Sequence, residues 1–146
     1  MLKLIRERIQ DDKGFTLIEL MVVVLIIAIL IAIAIPTYLG LRQRAQDRAA
    51  QAELRDGLTA AKAYFTDDET FTGFDAEAAN IEPSLTWNTA AAAVQGEVSI
   101  RDMGDDHIVL VTESESTNVF CAGDDGGTNV FGDDDAGTVG ACTGGW

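Results

Sequence analysis

A single carboxylate, Glu19, interrupts an otherwise apolar stretch near the start of the chain. From Leu20 to Ile35 every side chain is apolar, which is the composition of a helix that lies in lipid. A carboxylate at the centre of a spanning helix costs about 2.5 to 3.5 kcal/mol, and even near the end of the run it needs a partner. The chemistry that this residue favours is therefore ion pairing with a cation.

The residues around Glu19 form a recognisable motif. Lys13 and Gly14 end a short charged leader, Phe15 follows, and Glu19 stands four residues later. This segment resembles the N-terminus of a type IV pilin precursor, a likeness that is specific through about Phe65 and weak beyond it. The resemblance implies cleavage between Gly14 and Phe15 by a prepilin peptidase, and N-methylation of Phe15.

The resemblance also implies that Glu19, Phe15 and Pro36 act in assembly. Cleavage frees the amine of Phe15, which is cationic near neutral pH, and four residues of helix place Glu19 one turn away on the same face. That amine could neutralise Glu19, but in a pilin-like stack the better partner is the amine of a neighbouring subunit. Pro36 is similar to the pilin proline around which the helix can lose hydrogen bonds and make the fibre extensible.

Cys121 and Cys142 enclose twenty residues near the C-terminus. Closing that loop would restrict the unfolded chain by roughly 3 kcal/mol, if chain entropy dominates. A C-terminal disulfide loop resembles that of many pilins, and the alternative is two unpaired thiols. We expect the disulfide, because it suits a domain that lies outside the cell.

Other side chains could bind metal or catalyse, but their pattern argues against it. Calcium ligands could come from the aspartates of the loop, which are Asp124, Asp125, Asp133, Asp134 and Asp135. Their order does not fit an EF-hand, so we favour a solvated acidic turn and expect no metal site or cofactor. His107 is the only histidine and is interpreted as a surface or edge-strand residue. No nucleotide loop or nucleophile motif is found, so we expect no enzyme.

Residues 1–14 form a charged leader rather than a signal peptide with an apolar core. A Sec-type signal peptide carries its apolar core before the cut, whereas a pilin-like leader is cut before the apolar stretch. The alternative is ordinary signal-peptidase cleavage after Ala34, because Ala32-Ile33-Ala34 has the small residues of such a site. Glu19 within that core and Pro36 just after the site count against it.

Residues 15–66 are predicted to form one long helix, kinked at Pro36. Its transmembrane or filament-core part, 15–35, contains an apolar run of about 28 Å and can cross a membrane once. The later part is amphipathic, and core packing is expected on its small, alanine-rich face. That face comprises Ala45, Ala49, Ala52, Ala60 and Ala61.

The rest of the chain is predicted to form a small head. Residues 67–96 lack sustained periodicity and indicate a loop over a core, with short helical turns at 75–80 and 90–94. Within 97–146, polar and apolar residues alternate at 97–101, and a turn signal at 103–106 predicts a hairpin with 107–112. Two more short strands, at 118–122 and 128–131, are predicted on either side of the turn residues 124–127. The fold class is therefore α+β, a long N-terminal helix with a small C-terminal antiparallel β-sheet packed on it.

The formal net charge of -14 is concentrated in the head, where Arg101 alone faces seventeen acidic residues after residue 66. Such a surface repels phosphate and anionic lipid, so direct nucleic-acid binding is not expected. Basic residues flank the apolar run on both sides and hardly decide its orientation. The cysteines and the acidic head favour a C-terminus outside.

These features favour a structural subunit of a type IV pilus that forms a homopolymer through its N-terminal helices. The resemblance implies a single-pass membrane precursor, inner-membrane assembly machinery, and an extracellular pilus for adhesion, motility or DNA uptake. The alternatives are a pseudopilin of a type II secretion system and a monomeric anchored surface protein whose acidic head binds calcium or a ligand. Glu19 argues against the monomer, which has no reason to keep a carboxylate in lipid.

Overall fold

The computed structural model describes residues 14–89 and 92–146, so the predicted leader lies outside the described residues except for Gly14. The chain divides into two compact units, one ending at Gly40 and one comprising Leu41–Trp146. The elements are α1 (Leu17–Asp68), α2 (Phe74–Ile81), β1 (Trp87–Asn88), β2 (Val98–Met103), β3 (His107–Glu113), β4 (Val119–Asp125), β5 (Thr128–Gly132) and a 3-10 helix (Val139–Ala141).

The predicted long N-terminal helix is confirmed, because α1 is continuous over 52 residues. Pro36 lies inside α1 and does not end it. Since proline has no N–H, the carbonyl of Ala32 loses its usual helical donor. One residue further on, the Thr37 hydroxyl donates to the carbonyl of Ile33 at 3.2 Å. The kink at Pro36 stays a prediction.

α1 ends in the polar segment that follows Phe65. Glu69 has a left-handed backbone with a φ of 56°, and its N–H donates to the carbonyl of Phe65 at 2.8 Å. A left-handed residue cannot continue a right-handed helix, and it commonly stands just after the last helical turn. The helix therefore reaches Asp68, slightly beyond the predicted boundary at residue 66.

Among the described residues, five strands form one sheet in the order β1 to β5. β2 to β5 pair with their sequence neighbours in antiparallel fashion, which confirms the predicted antiparallel sheet. The predicted α+β class is confirmed. We predicted a loop at Trp87 and Asn88, but these two residues form β1 and pair in parallel with β2. A two-residue strand is too short to show alternation.

One face of the sheet packs against the second half of α1. The fully buried or nearly buried residues that meet there include Leu54, Leu58, Ala61, Ile108, Leu110 and Phe120. Each large apolar side chain buried in this way contributes about 1.5 to 3 kcal/mol. Gly57 allows the close approach, because a Cβ at this position would lie 3.2 Å from Leu110 and 3.3 Å from Trp87.

The face of α1 that meets the sheet differs in part from the predicted one. Three alanines of the face that we predicted to be buried are exposed: Ala45, Ala49 and Ala52. The buried positions are Ala50, Leu54, Gly57, Leu58, Ala60 and Ala61. Alanine suits either a buried or an exposed face, so it gives a weak periodic pattern. The larger Leu54 and Leu58 determine which face is buried.

The opposite face of the sheet is covered by the C-terminal segment. Val109 and Val111 of β3 are completely buried there, and they pack with Ala136 and Cys142. A sheet of this size could not leave both faces uncovered and remain stable in water. The segment after β5 thus serves as the second apolar layer of the head.

Trp146 closes the helix-facing core near β5. Its ring lies edge-on to Phe131 with centroids 4.9 Å apart, and its Nε1 donates to the carbonyl of Cys121 at 3.1 Å. The guanidinium of Arg55 lies 4.5 Å above the same ring. Aromatic packing and a cation above the ring each favour this position. We did not predict a role for Trp146.

The connection between helix and sheet is ordered by two buried aromatic residues. Phe71 and Phe74 are almost completely buried, and the second begins α2. The predicted helical turn at 75–80 is confirmed by α2. The other predicted turn, at 90–94, falls partly on residues 90 and 91, which lie outside the described residues. Val94 forms a bridge to Glu97 instead of helix.

Candidate functional site

Glu19 takes part in a reciprocal cap at the start of α1. Its Oε2 accepts hydrogen bonds from the backbone N–H of Thr16 at 2.9 Å and from the Thr16 hydroxyl at 2.5 Å. The N–H of Glu19 in turn donates to Thr16 Oγ1 at 3.3 Å. This is a capping box, in which a Thr at the cap and a Glu three residues later satisfy two free helical N–H groups. The spacing Thr-x-x-Glu predicts it, but we did not predict this cap.

The side chains that follow Glu19 are apolar and exposed. Phe15 is 80% exposed, and every large apolar side chain from Leu17 to Leu41 is at least 49% exposed. Water-soluble monomers rarely expose a continuous apolar surface of this extent. Within the described ranges, α1 alone is long and apolar enough to cross a membrane, judged by length and composition. This surface therefore needs lipid or other apolar helices around it.

The structure brings some of the predicted assembly residues together. Phe15 directly precedes Thr16, the cap residue of α1, and Thr16 is hydrogen-bonded to Glu19 in the first helical turn. Pro36 lies on the same helix, exposed, seventeen residues beyond Glu19, or roughly 26 Å along the axis. Pro36 therefore cannot act directly on the carboxylate.

The predicted disulfide is confirmed. Cys121 of β4 and Cys142 are bonded, with Cα atoms 5.9 Å apart, and both residues are buried. The bond ties the C-terminal segment to the face of the sheet that the segment covers. Gly132 makes room for this contact, because a Cβ there would lie 2.3 Å from the carbonyl oxygen of Thr143.

Two aspartates of the disulfide loop, Asp124 and Asp135, have separate cationic partners. Asp124 is buried, forms an ion pair with Lys62 at 2.9 Å and accepts a hydrogen bond from the N–H of Gly127. Asp135 pairs with Arg101 at 3.3 Å. Among the described residues, no group of three or more His, Cys, Asp or Glu side chains is placed to hold a metal ion. The calcium hypothesis therefore gains no geometric support here.

His107 stands between two carboxylates at the turn from β2 to β3. Its ring nitrogens lie 3.2 Å from Asp106 and 3.5 Å from Asp102. The hydrogen bond with Asp106 is the main reason that the pKa of His107 lies above its usual value. The ring also lies over Gly104, where a Cβ would come within 2.4 Å of it. This contact packs the turn. His107 is partly exposed, as the interpretation of a surface residue requires, but β3 is the central strand, so the edge-strand alternative is wrong.

Asp47 connects α1 to the turn between β3 and β4. Its carboxylate accepts hydrogen bonds from the hydroxyls of Ser114, at 2.9 Å, and Ser116, and from the amide of Asn118 at 3.0 Å. Burial alone would raise the pKa of Asp47, but these three donors outweigh burial and hold the pKa below its usual range. Asp47 thus fixes the helix to the sheet, a role that we did not predict.

We expect Asp47→Ala to lower the free energy of unfolding of the unit Leu41–Trp146 by about 1 to 2 kcal/mol at neutral pH. The pKa of Asp47 is lower in the folded state, so its contribution is present above the unfolded pKa of about 3.9. The contribution disappears as pH falls through the folded pKa. Urea unfolding between neutral pH and pH about 3 measures this difference.

The matched control is Asp56→Ala, which removes an exposed acid from the same helix. It should leave the free energy of unfolding within about 0.5 kcal/mol of the wild type. A destabilisation by Asp47→Ala that is equally large at both ends of the pH range would contradict the assigned role.

The chain is similar to proteins that form pili. The family described as "prokaryotic N-terminal methylation motif" matches residues 9–35. The "type IV wide pilus major component" of Thermus thermophilus is 35% identical over 124 residues, which cover 84% of this chain and 81% of that protein. The chain belongs to the type IV pilin family.

Two further relatives match shorter parts of this pilin. The "type IV major pilin protein" of Myxococcus xanthus is 35% identical over 95 residues, but the match spans only 43% of its length. A "fimbrial protein" of Pseudomonas aeruginosa is 55% identical over 51 residues, which are 35% of this chain and 33% of that protein. No solved structure matches the chain significantly.

Proposed function

We propose that this pilin is the structural subunit of a homopolymeric type IV pilus. In this account the precursor crosses the inner membrane once through the apolar part of α1, with its head outside. A prepilin peptidase removes residues 1–14, and the new terminus at Phe15 is N-methylated. The inner-membrane assembly machinery then transfers the subunit into an extracellular filament.

The exposed apolar part of α1, with Glu19 as its one charged residue, carries this proposal. Lipid covers this surface before assembly, and the same surface of other copies can cover it afterwards. Polymerisation thus exchanges one apolar environment for another, so contact between helices alone gives little selectivity. A charged group that needs a partner of opposite sign supplies that selectivity.

Removal of the leader would supply the partner. The peptide N–H of Phe15 becomes part of an amine that is cationic near neutral pH. The Glu19 carboxylate accepts two hydrogen bonds from Thr16, and a carboxylate has room for further donors. We infer that the cap holds the carboxylate in place while the amine of a neighbouring Phe15 approaches. The pair then sets the register of one helix against the next.

The head would form the outer surface of the filament. It carries most of the negative charge of the chain, which keeps such a surface soluble and repels nucleic acid. Direct DNA binding by the head is therefore not part of the proposal. Adhesion and motility are functions that a filament of this kind could serve. Calcium binding is not part of the proposal, because Asp124 and Asp135 of the loop already pair with separate cations.

Filament composition tests the proposal. Cells that express this chain as their only pilin should release long surface filaments on shearing, and this chain should be the main protein in them. A strain without the chain, otherwise identical, should release none. A chain that remains in the membrane fraction as a monomer would contradict the proposal, and short filaments confined to the periplasm would favour a pseudopilin.

A further inference from the structure

A groove of about 400 Å³ lies beside α1 in the unit Leu41–Trp146. Small residues, among them Ala45 and Ala49, form part of its wall, and three acids line it. These acids are Glu53 of α1, Glu113 at the end of β3, and Glu115 in the following turn. This volume is near the lower end of the range for small-molecule sites, so the groove could hold one or two long side chains.

Glu53 lacks a counter-charge within the described part of the chain. It is half-buried, and burial raises the pKa of its carboxyl. Glu115 accepts a hydrogen bond from the amide of Gln46 at 2.6 Å, which leaves its negative charge unbalanced. Arg42 also lines the groove but forms no ion pair with the described residues. A cation from elsewhere would therefore be favoured there.

A complementary basic surface lies on a different face of α1. Arg44 and Arg48 are exposed, and they form no ion pair within the described residues. Spaced by four residues, they project on the same side about 6 Å apart. At 3.6 residues per turn they stand roughly 140 to 180° around the helix from Glu53, so they cannot reach the groove of their own chain.

We propose that the acidic groove, with Glu53 and Glu113, receives Arg44 and Arg48 of a second copy of this chain. Two different surfaces of one molecule that bind each other make a heterologous contact, which continues as an open helical assembly when it does not close into a ring. The inference rests on the proposed function and adds to it. The groove and the two arginines would set the register between neighbouring heads, as Glu19 does between the apolar helices.

Charge exchange in the full-length chain tests this pairing, with filament yield normalised to mature pilin in the membrane. Reversing the arginines (Arg44→Glu with Arg48→Glu) should lower the yield about tenfold, and so should Glu53→Lys with Glu113→Lys. The four substitutions together should restore the yield to within about threefold of the wild type. Asp67→Lys with Asp68→Lys makes the same charge change as the glutamate reversal, at the end of α1 and away from the groove, and should have little effect.

A second measurement applies if the reversed variants do not accumulate. Filaments of the chain that carries Arg48→Cys and Glu113→Cys, with Arg44 and Glu53 kept for the pairing, should give a ladder of linked oligomers with a short bis-maleimide. Dimers alone, or no linked species, would overturn the proposal.

The outcomes also separate this pairing from the proposed function. A filament yield that the arginine reversal leaves unchanged would overturn the pairing alone. So would a yield that the four substitutions together do not restore. Loss of yield with the glutamate reversal but not with the arginine reversal would assign the groove to another cation, and would likewise overturn it. If the wild-type chain forms no filaments, the proposed function fails and the pairing with it.

Discussion

Chains that carry Glu19→Val should yield about a hundredfold fewer filaments than the wild type when each is expressed as the only pilin. The substitution makes the apolar run more apolar, so the membrane should accept the precursor and the leader should be removed normally. We expect the filament yield to fall at the assembly step. Without the carboxylate, the cationic terminus of each neighbouring subunit would be buried among apolar helices with no partner.

The capping box provides the variants that separate charge from helix capping. Glu19→Gln keeps an acceptor for the N–H of Thr16 and removes the charge, so it should assemble as poorly as Glu19→Val. Thr16→Val removes the two hydrogen bonds of the Thr16 hydroxyl and keeps both the backbone N–H bond to Glu19 and the charge, so it weakens the helix start by about 1 kcal/mol. It should therefore assemble much better. Normal filament yield from Glu19→Val would show that the carboxylate does not direct assembly.

Reduction of the disulfide between Cys121 and Cys142 should lower the free energy of unfolding of the head by about 3 kcal/mol. In a soluble fragment that starts near Ala45, this corresponds to a fall in Tm of about 10 °C or more. The loop constraint is one reason. The other is that the bond holds the segment that covers Val109 and Val111, so its release would expose apolar surface.

Thermal unfolding with and without reductant measures this effect. The variant with both Cys121→Ala and Cys142→Ala should melt at the lower temperature in either condition, which shows that the reductant acts through this bond. Identical melting of the wild-type fragment in both conditions would contradict the prediction. Calcium should raise the Tm of the oxidised fragment only if the loop aspartates converge on the ion.

The long helix and the first hairpin were predictable from local patterns. The apolar run before Pro36 repeats one signal over many residues, and residues 97–101 alternate polar and apolar before a turn signal. The cap formed by Thr16 and Glu19 was also predictable from its spacing. We interpreted Glu19 only as an ion-pairing group, although the two roles are compatible in one side chain.

The contacts that fix the head could not be predicted, because they join residues far apart in the chain. Asp47 binds Ser114 and Ser116 across 67 and 69 residues. Trp146 reaches Arg55 and Phe131 without any periodic pattern that would single it out. Such contacts depend on tertiary packing, and single polar or aromatic residues leave no periodic trace in a sequence.

The mature N-terminus and the intact mass of pilin from sheared surface filaments test the central claim most directly. We expect a chain that begins at Phe15, carries one methyl group on its terminal nitrogen, and has lost residues 1–14. The same intact mass should include the disulfide between Cys121 and Cys142. A chain that begins at Ile35, or one that retains Met1 and the whole leader, would contradict the account.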